Sequence, residues 1–200
     1  MMNEQEQFWA GAFGDDYHQR NVGLVNANKD FFERVLGPRM HGVTSLVEFG
    51  CGNGQNLLAL RSLYPMMRIA GVEINKSAVQ ELKQKHFDVI HGSMLTTTVA
   101  PSSIAMTKGV LIHLAPENLP KAYDALYGAG RKLILIAEYY SKEPREVSYR
   151  GHAGKLWTRD FGAEMMDRFP DLELVECGFS YDRLTGLDNI THWLFHRRGA

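Results

Sequence analysis

The chain has little cysteine and no surplus of charge. Its two cysteines, Cys51 and Cys177, lie far apart among 200 residues, so no disulfide framework is implied. The 22 Lys and Arg against 23 Asp and Glu leave a formal charge of −1, which offers no broad attraction to nucleic acid or an anionic membrane. No apolar run approaches the length of a membrane span. The first residues, Met1 to Gln7, are polar and acidic, unlike a secretory signal, and the expectation is a cytoplasmic protein. No repeat, low-complexity stretch or linker divides the chain. Its 200 residues suit one domain, residues 1–200.

What is present alternates strand and helix signals, the pattern of a doubly wound, mostly parallel α/β sheet. Asn26 to Leu36 reads as a helix with Phe31, Phe32, Val35 and Leu36 on one face, ended by Gly37-Pro38. Strands are expected at Ser45–Phe49, Arg68–Glu73, Asp88–His91, Ser103–Thr107 and Lys132–Ala137. Helices are expected at Gln55–Tyr64, Lys76–Lys85 with Asn75 as cap, Pro116–Gly130 and Asp160–Phe169. Two closing strands, Leu172–Phe179 and Ile190–Phe195, flank a turn at Leu184–Asn189 and suggest an antiparallel hairpin at the sheet edge. They bring the sheet to seven strands. Glu138 to Arg159 is polar, aromatic and basic without a clear period.

The most informative stretch is Leu46-Val47-Glu48-Phe49-Gly50-Cys51-Gly52-Asn53-Gly54, followed by a helix start at Gln55. A strand, a glycine turn and a helix N-terminus make a nucleotide-type binding edge. Glycines there let a ligand approach the backbone. The spacing is G-x-G-x-G, which counts against the G-x-G-x-x-G of an NAD-type site. Glu73 ends the second strand 25 residues after Glu48, where a carboxylate can accept from both hydroxyls of a ribose. The layout fits an adenosine-containing cofactor.

In the stretches 47–54, Gly71-Val72-Glu73-Ile74, His91-Gly92-Ser93-Met94 and Val110-Leu111-Ile112-His113-Leu114, the chain resembles the class I S-adenosylmethionine-dependent methyltransferases. The resemblance implies a Rossmann-like sheet with an N-terminal helical cap (residues 1–36), and S-adenosyl-L-methionine as cofactor with S-adenosyl-L-homocysteine as product. It implies that Gly50, Gly52 and Gly54 pass beneath the methionine and ribose portions of that cofactor, that Cys51, Asn53, Gln55 and Asn56 also bind it, and that Glu48 orients its amino group or a water. Glu73 and Ile74 would hold the ribose, Gly92, Ser93 and Met94 would flank the adenine, and Lys108 would close the site after the fourth strand. Ser93 stands where the family often has Asp; Met94 offers the ring a polarisable surface.

Two flanking segments carry the remaining signals. Phe8 to Asn21 is unusually aromatic for a chain start. In it Tyr17 and Arg20 lie three apart, on one face if helical, and suit a carboxylate such as the methionine tail, with Trp9 beside them. The substrate-side insertion, residues 141–159, holds Arg145, Arg150, His152 and Lys155 beside aromatics and reads as a pocket for a small anionic molecule. Asn21, His113, Tyr139, Arg150, Lys155 and Trp157 are the candidate acceptor contacts. Tyr149-Arg150-Gly151-His152 together with Phe8–Asn21 is similar to a methyltransferase subfamily associated with pseudaminic acid biosynthesis, which implies an acidic-sugar context. His192 and His196 sit in a strand pattern, so no metal pair is expected.

Absences narrow the chemistry. The fourth strand lacks the acid-Pro-Pro-aromatic signature of enzymes that methylate exocyclic nucleic-acid amines. It also lacks a carboxylate for a catechol-type metal, and no Cys is placed for covalent pyrimidine methylation. The expectation is metal-independent methyl transfer to a small molecule, without nucleic acid or membrane, as a monomer or homodimer. A general base, if used, would be His152, His18 or Tyr140, in that order. Two alternatives stay open. The same cofactor could serve cyclisation or aminocarboxypropyl transfer, or the chain could be a non-catalytic binding module.

Overall fold

The computed structural model describes residues 2–199. Asn3 opens α1 (Glu4–Ala10) through a reciprocal capping box with Glu6. At Gly11 the backbone turns extended, and α2 (Ala12–Arg20) begins. The N-terminal helical cap therefore opens with two short helices that meet at this glycine. The third helix, α3 (Val25–Leu36), buries Phe31, Phe32, Val35 and Leu36, the expected face.

The sheet follows: β1 (Ser45–Phe49), α4 (Gln55–Leu63), β2 (Arg68–Glu73), α5 (Lys76–Gln84), β3 (Asp88–His91) and β4 (Ser102–Lys108). Then come α6 (Leu119–Ala129), β5 (Gly130–Glu138), α7 (Phe161–Arg168), β8 (Leu172–Ser180) and β9 (Ile190–Arg197). Strand order is β3-β2-β1-β4-β5-β9-β8; β8 and β9 run antiparallel and close the edge. Asn75 caps α5 as expected, accepting from Ala78 N at 2.9 Å. Pro116–Asn118 is a 3-10 turn, so α6 starts at Leu119. The 141–159 insertion holds two two-residue strands, β6 (Arg145–Glu146) and β7 (Trp157–Thr158), paired with each other. Such short strands show no period in a sequence. A short α8 (Asp182–Thr185) opens the closing turn.

The side chains of β1, β4 and β5 alternate between two cores. Leu46, Ile104, Met106 and Leu135 pack with α3, α4 and α5 residues such as Phe32, Leu57, Leu60 and Leu82. Val47, Phe49, Ala105 and Ile136 pack with Leu119 and Leu126 of α6 and with Phe161 and Met165 of α7. Helices thus cover both faces, as buried parallel strands require. Strand order reverses between β1 and β4, and the crevice beyond their carboxyl ends is where such sheets place ligands. Among the described residues no helix is long and apolar enough to cross a membrane.

Candidate active site

The glycine turn is built against β2. Gly50 N and Cys51 N both donate to Val72 O, at 2.8 and 3.2 Å. Gly50 has φ +72°, and a side chain there would begin 2.5 Å from Val110 Cγ2. Conformation and crowding both demand glycine. Gly52 N donates to Glu73 Oε2 at 2.7 Å, and Asn75 N to Glu73 Oε1 at 2.8 Å. The buried carboxylate therefore ties the glycine turn to the start of α5, and each oxygen retains acceptor capacity.

Three amide side chains fasten the N-terminal cap over this edge. Asn53 Nδ2 donates to His18 O at 2.8 Å and to Asn21 O at 2.6 Å. Leu24 N donates to Gln55 Oε1 at 3.0 Å, and Asn75 Nδ2 to Asp15 Oδ1 at 2.9 Å. Beneath the cap runs one continuous cavity, from Glu73 and Met94 past the glycine turn to Tyr17, Trp9 and His113.

No family model matches the chain. A curated relative, Methyltransferase ungE' of Aspergillus campestris (strain IBT 28561), is 28% identical over 74 residues, 32% of this chain and 22% of that protein. Among solved structures, the mitomycin 7-O-methyltransferase MmcR matches with a TM-score of 0.66 at 13% identity, over 87% of this chain but only 54% of its own. The 1,6-didemethyltoxoflavin-N1-methyltransferase of Burkholderia thailandensis, with bound 1,6-didemethyltoxoflavin and S-adenosylhomocysteine, scores 0.70 at 13% identity over 96% and 86% of the two chains. Magnesium protoporphyrin IX methyltransferase of Synechocystis PCC 6803, with bound SAH, scores 0.70 at 12% identity over 96% and 97%. The fold is that of the S-adenosylmethionine-dependent methyltransferases.

On this methyltransferase fold the candidate cofactor residues sort by position. Trp9, Tyr17, Gly50, Cys51, Gly52, Asn53, Gln55, Asn56, Glu73, Ile74, Gly92, Ser93, Met94 and Lys108 all line the cavity. Glu48 stands behind Asn56, whose Nδ2 donates to Glu48 Oε1 at 2.6 Å. Burial pushes the Glu48 carboxyl up to about 7, against that hydrogen bond and the nearby Lys108. Burial likewise lowers the Lys108 amine, opposed by Glu48. Arg20 does not reach the cavity. It is the exposed last residue of α2, with its guanidinium 5.7 Å from the Phe13 ring centroid.

The acceptor side departs further from expectation. His152 lies off the lining, edge-on to Phe8 and Phe13 at 5.1 and 5.6 Å between centroids. Tyr140 is 48% exposed near Trp193. Tyr139 donates its hydroxyl to Asp188 at 2.9 Å, and half-buried Trp157 sits on β7 opposite Glu146. Arg145 and Arg150 are exposed, and Lys155 is buried but paired with Glu4 at 2.6 Å. With both arginines facing solvent and Lys155 paired away from the cavity lining, the expected basic pocket is not assembled. Asn21 and His113 do line the cavity, and His18 does so over Gly52 rather than beside His113.

His113 is held most specifically. Its Nδ1 lies 2.7 Å from Lys155 O, and a carbonyl only accepts, so Nδ1 carries the proton and Nε2 keeps its lone pair. The ring packs against both Trp9 and Tyr149, with centroids at 4.5 and 4.8 Å. Burial pushes its pKa down to about 4. The 3-10 turn carrying it, Leu111–His113, is anchored by Glu138 at the end of β5. Val110 N and Leu111 N donate to Glu138 Oε1 at 2.9 and 3.0 Å, and Ile112 N to Oε2 at 3.4 Å. Burial still raises that carboxyl to about 7.

Several lining residues carry no motif: Gln5, Glu6, Leu24, Asn28 and Gly109. Asn28 had a readable signal. It shares the apolar face of Phe31, Phe32 and Val35, where a polar side chain needs a partner, and its buried Oδ1 has none. Trp9 Nε1, Asn56 Oδ1, Glu48 Oε2 and both ring nitrogens of His18 are likewise buried and unpartnered. Each such atom costs about 1–3 kcal/mol unless a ligand meets it. Among the described residues no group of three or more His, Cys, Asp or Glu could hold a metal ion.

Proposed function

We propose that this protein is an S-adenosylmethionine-dependent methyltransferase acting on a small metabolite. The observation that carries the reading is the single cavity that joins the Gly50–Glu73 edge to His113, whose Nδ1 is held by Lys155 O. The residues present fit the cofactor. Gly50 and Gly52 leave the turn bare, Glu73 has acceptor capacity for ribose hydroxyls, and Ser93 and Met94 line the adenine end. Unpartnered atoms of Asn28 and Asn56, with Tyr17 and Lys108, supply polar contacts for the amino-acid end. When bound, S-adenosylmethionine supplies a methyl group already activated on a sulfonium.

The protein's share is then positioning, water exclusion and one proton. Helices α1 and α2 roof the cavity, and Trp9 Nε1 offers a donor to the acceptor molecule. His113 Nε2 is the base. Its low pKa keeps the lone pair free at neutral pH, and the acceptor proton grows more acidic as the new bond forms. A roofed cavity suits a small molecule better than a nucleic acid. An acidic sugar intermediate is supported by the residue patterns at Phe8–Asn21 and 149–152.

The test is incubation of purified protein with S-adenosylmethionine and a fractionated metabolite extract, read by mass. S-adenosylhomocysteine together with a product heavier by one methylene is expected. Methylthioadenosine in its place overturns methyl transfer, and failure to bind the cofactor by calorimetry overturns the whole reading.

A further inference from the structure

His18 lies over the glycine turn. Its Cε1 and Nδ1 stand 3.3 and 3.4 Å from the point where a side chain on Gly52 would begin. The same Gly52 gives its N–H to Glu73 Oε2. An imidazole from the cap and a carboxylate from the sheet therefore converge on one residue. Both His18 ring nitrogens are buried without a partner. Each Glu73 oxygen is used once by backbone and can accept again. A neutral imidazole offers one N–H and one lone pair, and burial holds this one below the usual histidine range. Together the two groups present donor and acceptors in the combination that two adjacent hydroxyls match.

We propose that His18 is the second half of the ribose site, its imidazole sharing the vicinal hydroxyls of the cofactor with the Glu73 carboxylate. This rests on the cofactor reading above. The ring is placed by the turn itself, since Asn53 Nδ2 holds the carbonyl of His18.

Calorimetric titrations of wild type, His18→Ala and His18→Gln with S-adenosylhomocysteine and with its 2′,3′-dideoxyribose analogue test this. His18→Ala is expected to bind S-adenosylhomocysteine about tenfold more weakly, the worth of one hydrogen bond, with no added loss toward the analogue. His18→Gln is expected to recover part of the difference. Equal loss toward both ligands makes His18 a packing residue and overturns the proposal, as does no loss at all. Wild type that binds neither ligand defeats the cofactor reading itself, whereas wild type that binds both equally defeats only the ribose site.

Discussion

A single backbone carbonyl sets the chemistry of His113. Lys155 O, 42 residues further along the chain, holds Nδ1 and leaves Nε2 free. His113→Ala should lower single-turnover methyl transfer by about 10² to 10⁴, the usual worth of a general base, with little change in cofactor affinity. Because its pKa lies at about 4, the wild-type rate should stay level from about pH 6 to 8, without an imidazole limb. A full rate in His113→Ala would refute the assignment. Loop placement pointed instead to His152 as the first choice of base, because histidine titrates nearest neutral pH and the basic loop read as a pocket for an anionic molecule. Nothing in the residues near His113 reveals which distant carbonyl orients it. The place of Glu73 on the cavity wall was more legible. Glu73 ends a strand, and strand ends in this topology face the crevice.

At the scale of elements, hydrogen bonds of amide side chains in the glycine turn and at the starts of α4 and α5 tie α2 and the residues after it to the sheet edge, beside the aromatic packing of Phe8, Trp9 and Phe13. Asn53 alone makes two of those hydrogen bonds. Asn53→Ala should therefore loosen α2 by about 1–2 kcal/mol and speed amide exchange there by about tenfold, while exchange in β1, β4 and β5 stays unchanged. Hydrogen-exchange mass spectrometry resolves the two regions, and a uniform rise across the sheet would show that Asn53 supports the whole fold instead. Helix and strand existence was readable wherever apolar periodicity ran for a full element, as in α3, β1 and β5. It was unreadable in two places. The β6–β7 hairpin has two residues per strand and no period to detect. The split of the cap at Gly11 depends on a backbone angle that an aromatic-rich run conceals.

At the scale of the molecule, opposed titrations should flatten the response to acid. His113 and His192 are buried and their pKa values pushed down to about 4, and His18 is lowered by burial too. A lowered imidazole gives stability that is full above its unfolded value of 6.5 and is lost as pH falls toward 4. Glu48 and Glu138 are raised to about 7, so their contribution is full below the unfolded 4.5 and is lost as pH rises through 7. Between about pH 5 and 6.5 the histidines gain what the glutamates lose, and the wild-type melting midpoint should be nearly level. Replacing both acids, Glu48→Gln with Glu138→Gln, removes only the opposing slope. Amide oxygens can still accept from Asn56 Nδ2 and from the Val110 and Leu111 amides, so the fold is retained. The double variant should then lose stability steadily on acidification through that window, measured by thermal melts at several pH values without ligand. A variant as level as the wild type would mean that neither the two carboxyls nor the buried imidazoles bind protons differently in the folded and unfolded chain, which overturns the opposed titrations.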